Sequence, residues 1–185
     1  MYLENTLTLP GASSVKSTQA PATSSTPERL TVVLAYQFPV QIYTNGACVS
    51  NLGATGSGLV MYEYGKLTTL KYGYHSPNGT TNTAELIALR EAIKLAHHYL
   101  EKSLPVGILS DSDYFLKAVF VWPMGWEKKN WTKGGSAPVQ NLVLIKECYA
   151  LSRALIAKVQ MTYVRSHLGT ECNEIANHLL VKAPQ

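Results

Sequence analysis

The chain contains only two aspartates, Asp111 and Asp113, while the other ten of its twelve acidic residues are Glu. The pair follows Val106 to Leu109, a short apolar run that reads as a buried strand. Where strands run parallel, sites form at their carboxyl ends. The strand ends in this sequence carry Asn45, Asp111 and the segment Arg165-Ser166-His167. Glu85, in the first turn of a long helical stretch, and the closing helical stretch can reach the same place. Carboxylates and a histidine gathered this way suit proton transfer or the holding of a cation, and residue types alone leave both open.

Around these residues lies one ordinary domain of 185 residues with a tail. Hydrophobic residues make up 46% of it, enough to bury a sizeable core. Sixteen basic against twelve acidic residues leave a net charge of +4, which accommodates a basic patch without proving a nucleic-acid partner. No apolar run reaches the ~18 to 20 residues of a membrane span, so no membrane partner is expected. Cys48, Cys148 and Cys172 have no metal-like spacing. That argues against a zinc site and a disulfide framework, and for an intracellular location, cytoplasmic or nuclear.

Residues 1–35 differ from the rest. From Thr6 to Pro27 the chain is rich in Ser, Thr, Ala and Pro and carries one charge, Lys16. Such a stretch reads as a flexible head, because it cannot bury enough apolar surface to offset its ordering entropy. A secretory signal lacks both its basic start and its apolar block here. A mitochondrial presequence fits the hydroxyl-rich, acid-poor composition, but no Arg precedes Arg29.

From residue 36 to 185 the pattern is that of a folded domain. Leu30 to Tyr36 reads as a leading strand or tether, and Gln41 to Thr44 as a strand ending in a turn at Asn45-Gly46. Ser57 to Tyr64 and Lys66 to Tyr74 form a hairpin at Gly65. Leu86, Leu89, Ile93, Ala96 and Leu100 recur at helical spacing between Thr83 and Leu100. Asp111 or Ser112 can cap a following helix. Leu142 to Leu155 is helical, Gln160 to Val164 a strand and Glu171 to Val181 a closing helix. This order implies a mixed sheet, an antiparallel meander plus a parallel part, with helices on its faces.

Several separated motifs, in order over about residues 38 to 183, resemble ribonuclease H type 1. They are Tyr43-Thr44-Asn45-Gly46 with Asn51-Leu52-Gly53 and Gly56; Thr81 to Leu86; and Leu109 to Tyr114. Trp122, Trp126 and Trp131 with Pro138-Val139-Gln140-Asn141 follow, and then His167, Asn173-Glu174 and Asn177. The resemblance implies a ribonuclease H-like α/β fold, with a mixed five-stranded sheet flanked by helices. It also implies Mg²⁺-dependent cleavage of the RNA strand of an RNA/DNA hybrid.

In that family two Mg²⁺ ions are held by three Asp and one Glu. Carried over, the catalytic positions are Asn45, Glu85, Asp111, His167 and Asn177, and only Glu85 and Asp111 keep a metal-binding carboxylate. Asn is nearly isosteric with Asp but brings no charge to offset Mg²⁺, so weakened or single-ion binding is expected, with Mn²⁺ a substitute. Asp113, Glu171 and Glu174 are the neighbours able to compensate. Deamidation at Asn45-Gly46 would return an acid to the first position, although a strand-end backbone resists succinimide closure.

The resemblance assigns nucleic-acid contacts to Asn51, Asn82, Ser112 and Asn141, residue types that otherwise cap turns and helices. Trp126, Lys128, Lys129 and Trp131, with Lys133, match its basic handle, against the alternative of a solvated loop whose rings pack on the core. Asn78-Gly79-Thr80 and Asn130-Trp131-Thr132 fit a glycosylation pattern, coincidental without a secretory signal. The expected function is therefore binding of RNA/DNA hybrid or structured nucleic acid by a monomer whose cleavage is impaired by Asn45 and Asn177. Two alternatives stand beside it. One is an active ribonuclease H, through compensating ligands or because the two Asn were engineered into an active parent. The other is a structural or assembly pseudoenzyme.

Overall fold

The computed structural model describes residues 5–8, 38–48, 53–134, 137–155 and 158–164. The expected leading strand at residues 30–36 and closing helix at 171–181 lie outside them, as do Asn51, His167, Glu171, Asn173, Glu174 and Asn177. The strands are β1 (Asn5–Thr8), β2 (Val40–Cys48), β3 (Thr55–Glu63), β4 (Lys66–Ser76), β5 (Val106–Ser110) and β6 (Val159–Tyr163). The described helices are α1 (Thr81–Glu101), α2 (Asp113–Phe120), α3 (Pro123–Lys128) and α4 (Leu142–Ser152).

The strands form one sheet in the order β1-β4-β3-β2-β5-β6. β2, β3 and β4 make the antiparallel meander, and β5 and β6 join β2 in parallel. These five strands are the expected mixed sheet, and β1 adds a sixth at its edge. The β3–β4 hairpin closes on Tyr64 and Gly65, both at positive φ (50° and 75°), the backbone a two-residue hairpin of this twist requires.

Two expectations are corrected. Asn45-Gly46 is not a turn: β2 runs through it to Cys48, paired with β3 from Gly58 to Thr55. The head is not wholly without structure either. Asn5–Thr8 pairs antiparallel with β4 from Tyr72 to Thr69, where an otherwise open edge offers free backbone donors and acceptors.

Alternation along the strands splits the core between the sheet faces. Val40 and Ile42 of β2, Leu59 and Met61 of β3, and Val106 and Ile108 of β5 pack with α1, α2 and α4. Tyr43, Val60, Leu109 and Val164 form the cluster on the other face. Leu86, Leu89, Ile93 and Ala96 of α1 are buried as their spacing predicts, and Leu100 packs beside them. Ala84, Ala88 and Ala92 on the same helix are also buried, so small side chains let α1 lie close to the sheet.

Cys148 of α4 is fully buried, and its thiol donates to the Leu86 carbonyl of α1. Burial, with Glu147 nearby, pushes that thiol up to about 12. Only a thiolate alkylates quickly. Cys148 is therefore expected to stay unmodified by iodoacetamide at pH 8 in the folded protein and to react on unfolding, as read by peptide mass spectrometry.

Candidate metal and nucleic-acid site

The parallel register of β2 and β5 sets Thr44 beside Ser110. The next residues are Asn45, still on β2, and Asp111, just past the end of β5, so both follow the last paired position of the two strands. Asn45 is buried and Asp111 half-buried.

Glu85 comes to them on α1. That helix starts at Thr80, whose hydroxyl accepts from the Thr83 amide while the Thr80 amide donates to the Thr83 hydroxyl. This reciprocal cap satisfies two otherwise orphaned donors and fixes where the first turn begins. The turn then lies directly on β2, because a Cβ at Gly46 would collide with the backbone of Ala84 and Glu85. The Gly46 amide donates to the Glu85 carboxylate, and the Ser57 hydroxyl of β3 donates to the Ala84 carbonyl at 2.5 Å.

Glu85 is only 7% exposed. Burial, and then the charge of Asp111, raise its carboxyl from 4.5 to about 8, against the lowering effect of the Gly46 amide. A carboxyl raised in the folded state contributes stability below its ordinary value and loses it as pH rises from about 4.5 to about 8. In metal-free buffer at pH 9, Glu85→Gln is therefore expected to melt above the unsubstituted chain. The gain should be about 2 kcal/mol, or on the order of 5 °C, and should vanish near pH 5. Thermal melts across that range check it.

A buried carboxyl under the charge of a neighbouring carboxylate is the donor chemistry that a hard divalent cation neutralises, so Glu85, Asp111 and the Asn45 carbonyl oxygen fit such an ion. Among the described residues no third His, Cys, Asp or Glu joins them. Asp113 does not: it is exposed and paired with Lys117 of its own helix at 2.5 Å. Deamidation of Asn45 is opposed by the strand, which holds the Gly46 amide on Glu85 and away from succinimide closure.

The nucleic-acid candidates divide. Asn82 is exposed at the second position of α1, one turn before Glu85. Asn141 precedes α4 at φ 53° and its side chain caps nothing, so capping does not account for it. Ser112 does cap α2, accepting from the Phe115 amide at 3.4 Å.

In the handle, Trp126 packs partly on the core beside Trp122, with ring centroids 5.5 Å apart. Trp131 lies edge-on to Tyr149. The rings thus behave as the loop alternative expects, whereas Lys128 and Lys129 are exposed and carry no ion pair among the described residues. Lys133 donates to the Tyr114 hydroxyl. Two contacts beside these candidate residues escaped the sequence. Lys146 of α4 lies 4.8 Å from the Trp131 ring centroid, five residues beyond Asn141. Ser57 grips the turn that carries Glu85, and only the strand register reveals it.

A sequence model of the RNase H family matches residues 37–185 of the chain. The chain belongs to the RNase H family. The ribonuclease H of Thiobacillus denitrificans is 34% identical over 140 residues, which are 76% of this chain and 89% of that one. The ribonuclease H of Thermosynechococcus vestitus is 36% identical over 133 residues, 72% of this RNase H chain and 80% of its relative.

Solved structures carry the same fold. LC9-RNase H1, a type 1 RNase H with the type 2 active-site motif, superposes with TM-score 0.61 at 25% identity, covering 77% of this chain and 70% of that one. LC11-RNase H1, solved in complex with RNA/DNA hybrid, has TM-score 0.56 at 16% identity over 77% and 97% of the two chains.

Proposed function

We propose that this chain is a type 1 RNase H domain that binds RNA/DNA hybrid, and that its cleavage of the RNA strand is weakened by Asn45 and Asn177. The observation that carries the reading is the convergence of Glu85 and Asp111 over β2 with an amide, Asn45, buried between the strand ends. Family membership supplies the reaction class, and the loss of charge at Asn45 supplies the weakening.

A Mg²⁺ or Mn²⁺ ion, when bound, supplies the positive charge that activates an attacking water and stabilises the leaving oxygen. Glu85 and Asp111 would hold it, and the Asn45 carbonyl would add a neutral donor. Because charge complementarity is worth most where water is excluded, an amide in this buried place costs more than one at the surface. In this reading Asn82 and Asn141 would contact the sugar edges of a hybrid in its minor groove, and His167 would assist proton transfer or product release. Asn51 and Ser112 are kept in the same binding set, Ser112 with its hydroxyl already engaged as a cap.

Lys128 and Lys129, with Trp126 and Trp131 bracing their loop, grip a phosphate backbone. Each phosphate neutralised releases counterions, and binding then falls linearly with the logarithm of salt. The pair Lys128→Ala and Lys129→Ala is expected to weaken hybrid binding about tenfold at moderate salt and to reduce the salt slope by about 2. Fluorescence anisotropy at several salt concentrations tests this. Unchanged affinity and slope would remove the handle from the binding surface and favour an assembly role.

A further inference from the structure

On β3, Ser57, Leu59 and Met61 share one face by alternation, and Leu59 and Met61 fill the core beneath α1. Ser57 holds the position nearest the first turn of that helix. It is only 5% exposed and lies opposite Gly46 in the antiparallel register. Its hydroxyl donates to the Ala84 carbonyl at 2.5 Å, while the Gly46 amide donates to the carboxylate of the next residue, Glu85. Two register partners therefore hold two consecutive residues of one helical turn.

A helical carbonyl at that position already has the amide one turn later as its partner, so the hydroxyl is a second donor and the helix does not need it to form. What the bond adds is a fixed height and rotation of the turn over the sheet. Without it, the Gly46 approach and the Thr80 cap would still hold the turn. The cap sets where the helix begins and not how far it stands from β2.

The geometry points to Ser57 as a positioning residue that aims the Glu85 carboxylate at Asp111. This rests on the reading of Glu85 and Asp111 as cation ligands. Groups that orient a ligand matter through the ligand, so their loss shows in cation affinity and not only in stability.

The test places Ser57→Ala and Ser57→Thr in the full chain carrying Asn45→Asp and Asn177→Asp, well below its melting temperature. Mn²⁺ affinity is read by electron paramagnetic resonance, and exchange of the Gly46 amide proton by NMR in the metal-free protein. Ser57→Ala is expected to weaken Mn²⁺ binding about tenfold and to speed Gly46 exchange, with Ser57→Thr, which keeps the hydroxyl, restoring both. Mn²⁺ affinity within about twofold of the parent would overturn the assignment, even if the variant melts lower. Should the parent itself bind no Mn²⁺, the cation reading fails, and Gly46 exchange then decides for Ser57 alone: an unchanged rate overturns it.

Discussion

Restoring acids at both amide positions, Asn45→Asp with Asn177→Asp, is expected to raise Mg²⁺-dependent cleavage of an RNA/DNA hybrid by about a thousandfold or more. A single preorganised group that stabilises developing charge is worth ~10²- to 10³-fold, and two positions are recovered at once. The folded cost has the opposite sign. Asn45 is 4% exposed and stands beside Asp111, with Glu85 already pushed up to about 8. A further carboxylate there repels the two already present until a cation arrives. The reverted chain should therefore melt below the native chain in chelator and recover with added Mg²⁺, as mass action on the folded state requires. Single-turnover cleavage and paired melts with and without Mg²⁺ check both halves. A native chain that cuts as fast as the reverted one would mean that a ligand other than the four carried-over positions completes the site.

Gly46→Ala carries the second large effect. The added methyl would meet the backbone of Ala84 and Glu85, which cannot rotate out of the way as the end of a side chain could. Overpacking of that kind costs about 3 kcal/mol, which for a chain of this size is on the order of 10 °C in Tm. Relief comes by lifting the start of α1 off β2, and that carries Glu85 away from Asp111. Cation binding should then fail even at temperatures where the variant remains folded. Gly125→Ala is the contrast: the position lies in α3 with open space around it, and Ala there should leave Tm unchanged or slightly higher. Equal melting of the Gly46 and Gly125 variants would contradict the close packing of helix on strand.

These effects show which parts of the molecule were legible in its sequence. The helical spacing of Leu86, Leu89, Ile93 and Ala96 announced α1 and its buried face, because one face of a long helix against a sheet leaves a periodic record. The hairpin at Gly65 was announced by a residue type that tolerates positive φ. Asn45-Gly46 misled for a related reason. Asn-Gly is a turn signal, yet here Gly is required by the approach of another element's backbone, which sequence neighbours do not encode.

The edge strand Asn5–Thr8 was missed because its Thr-Leu-Thr alternation is too short to stand out within a Ser/Thr-rich head. Ser57 and Lys146 were missed because their partners, Ala84 and Trp131, are 27 and 15 residues away and come together only through register and helix packing. For Ser112 the structure favours the ordinary role, a cap. Asn141 makes no cap, and its left-handed backbone is one that Asn tolerates.

The central claim is that this chain recognises a hybrid duplex, and its most direct test is equilibrium binding by the native chain in chelator, where cleavage cannot interfere. An RNA/DNA hybrid would be titrated beside DNA and RNA duplexes of the same sequence at one salt concentration. The account expects the hybrid to bind at least about tenfold more tightly than either duplex, because only a hybrid pairs 2′-hydroxyls on one strand with a deoxyribose backbone on the other. Equal affinity for all three, or none for any, would contradict it.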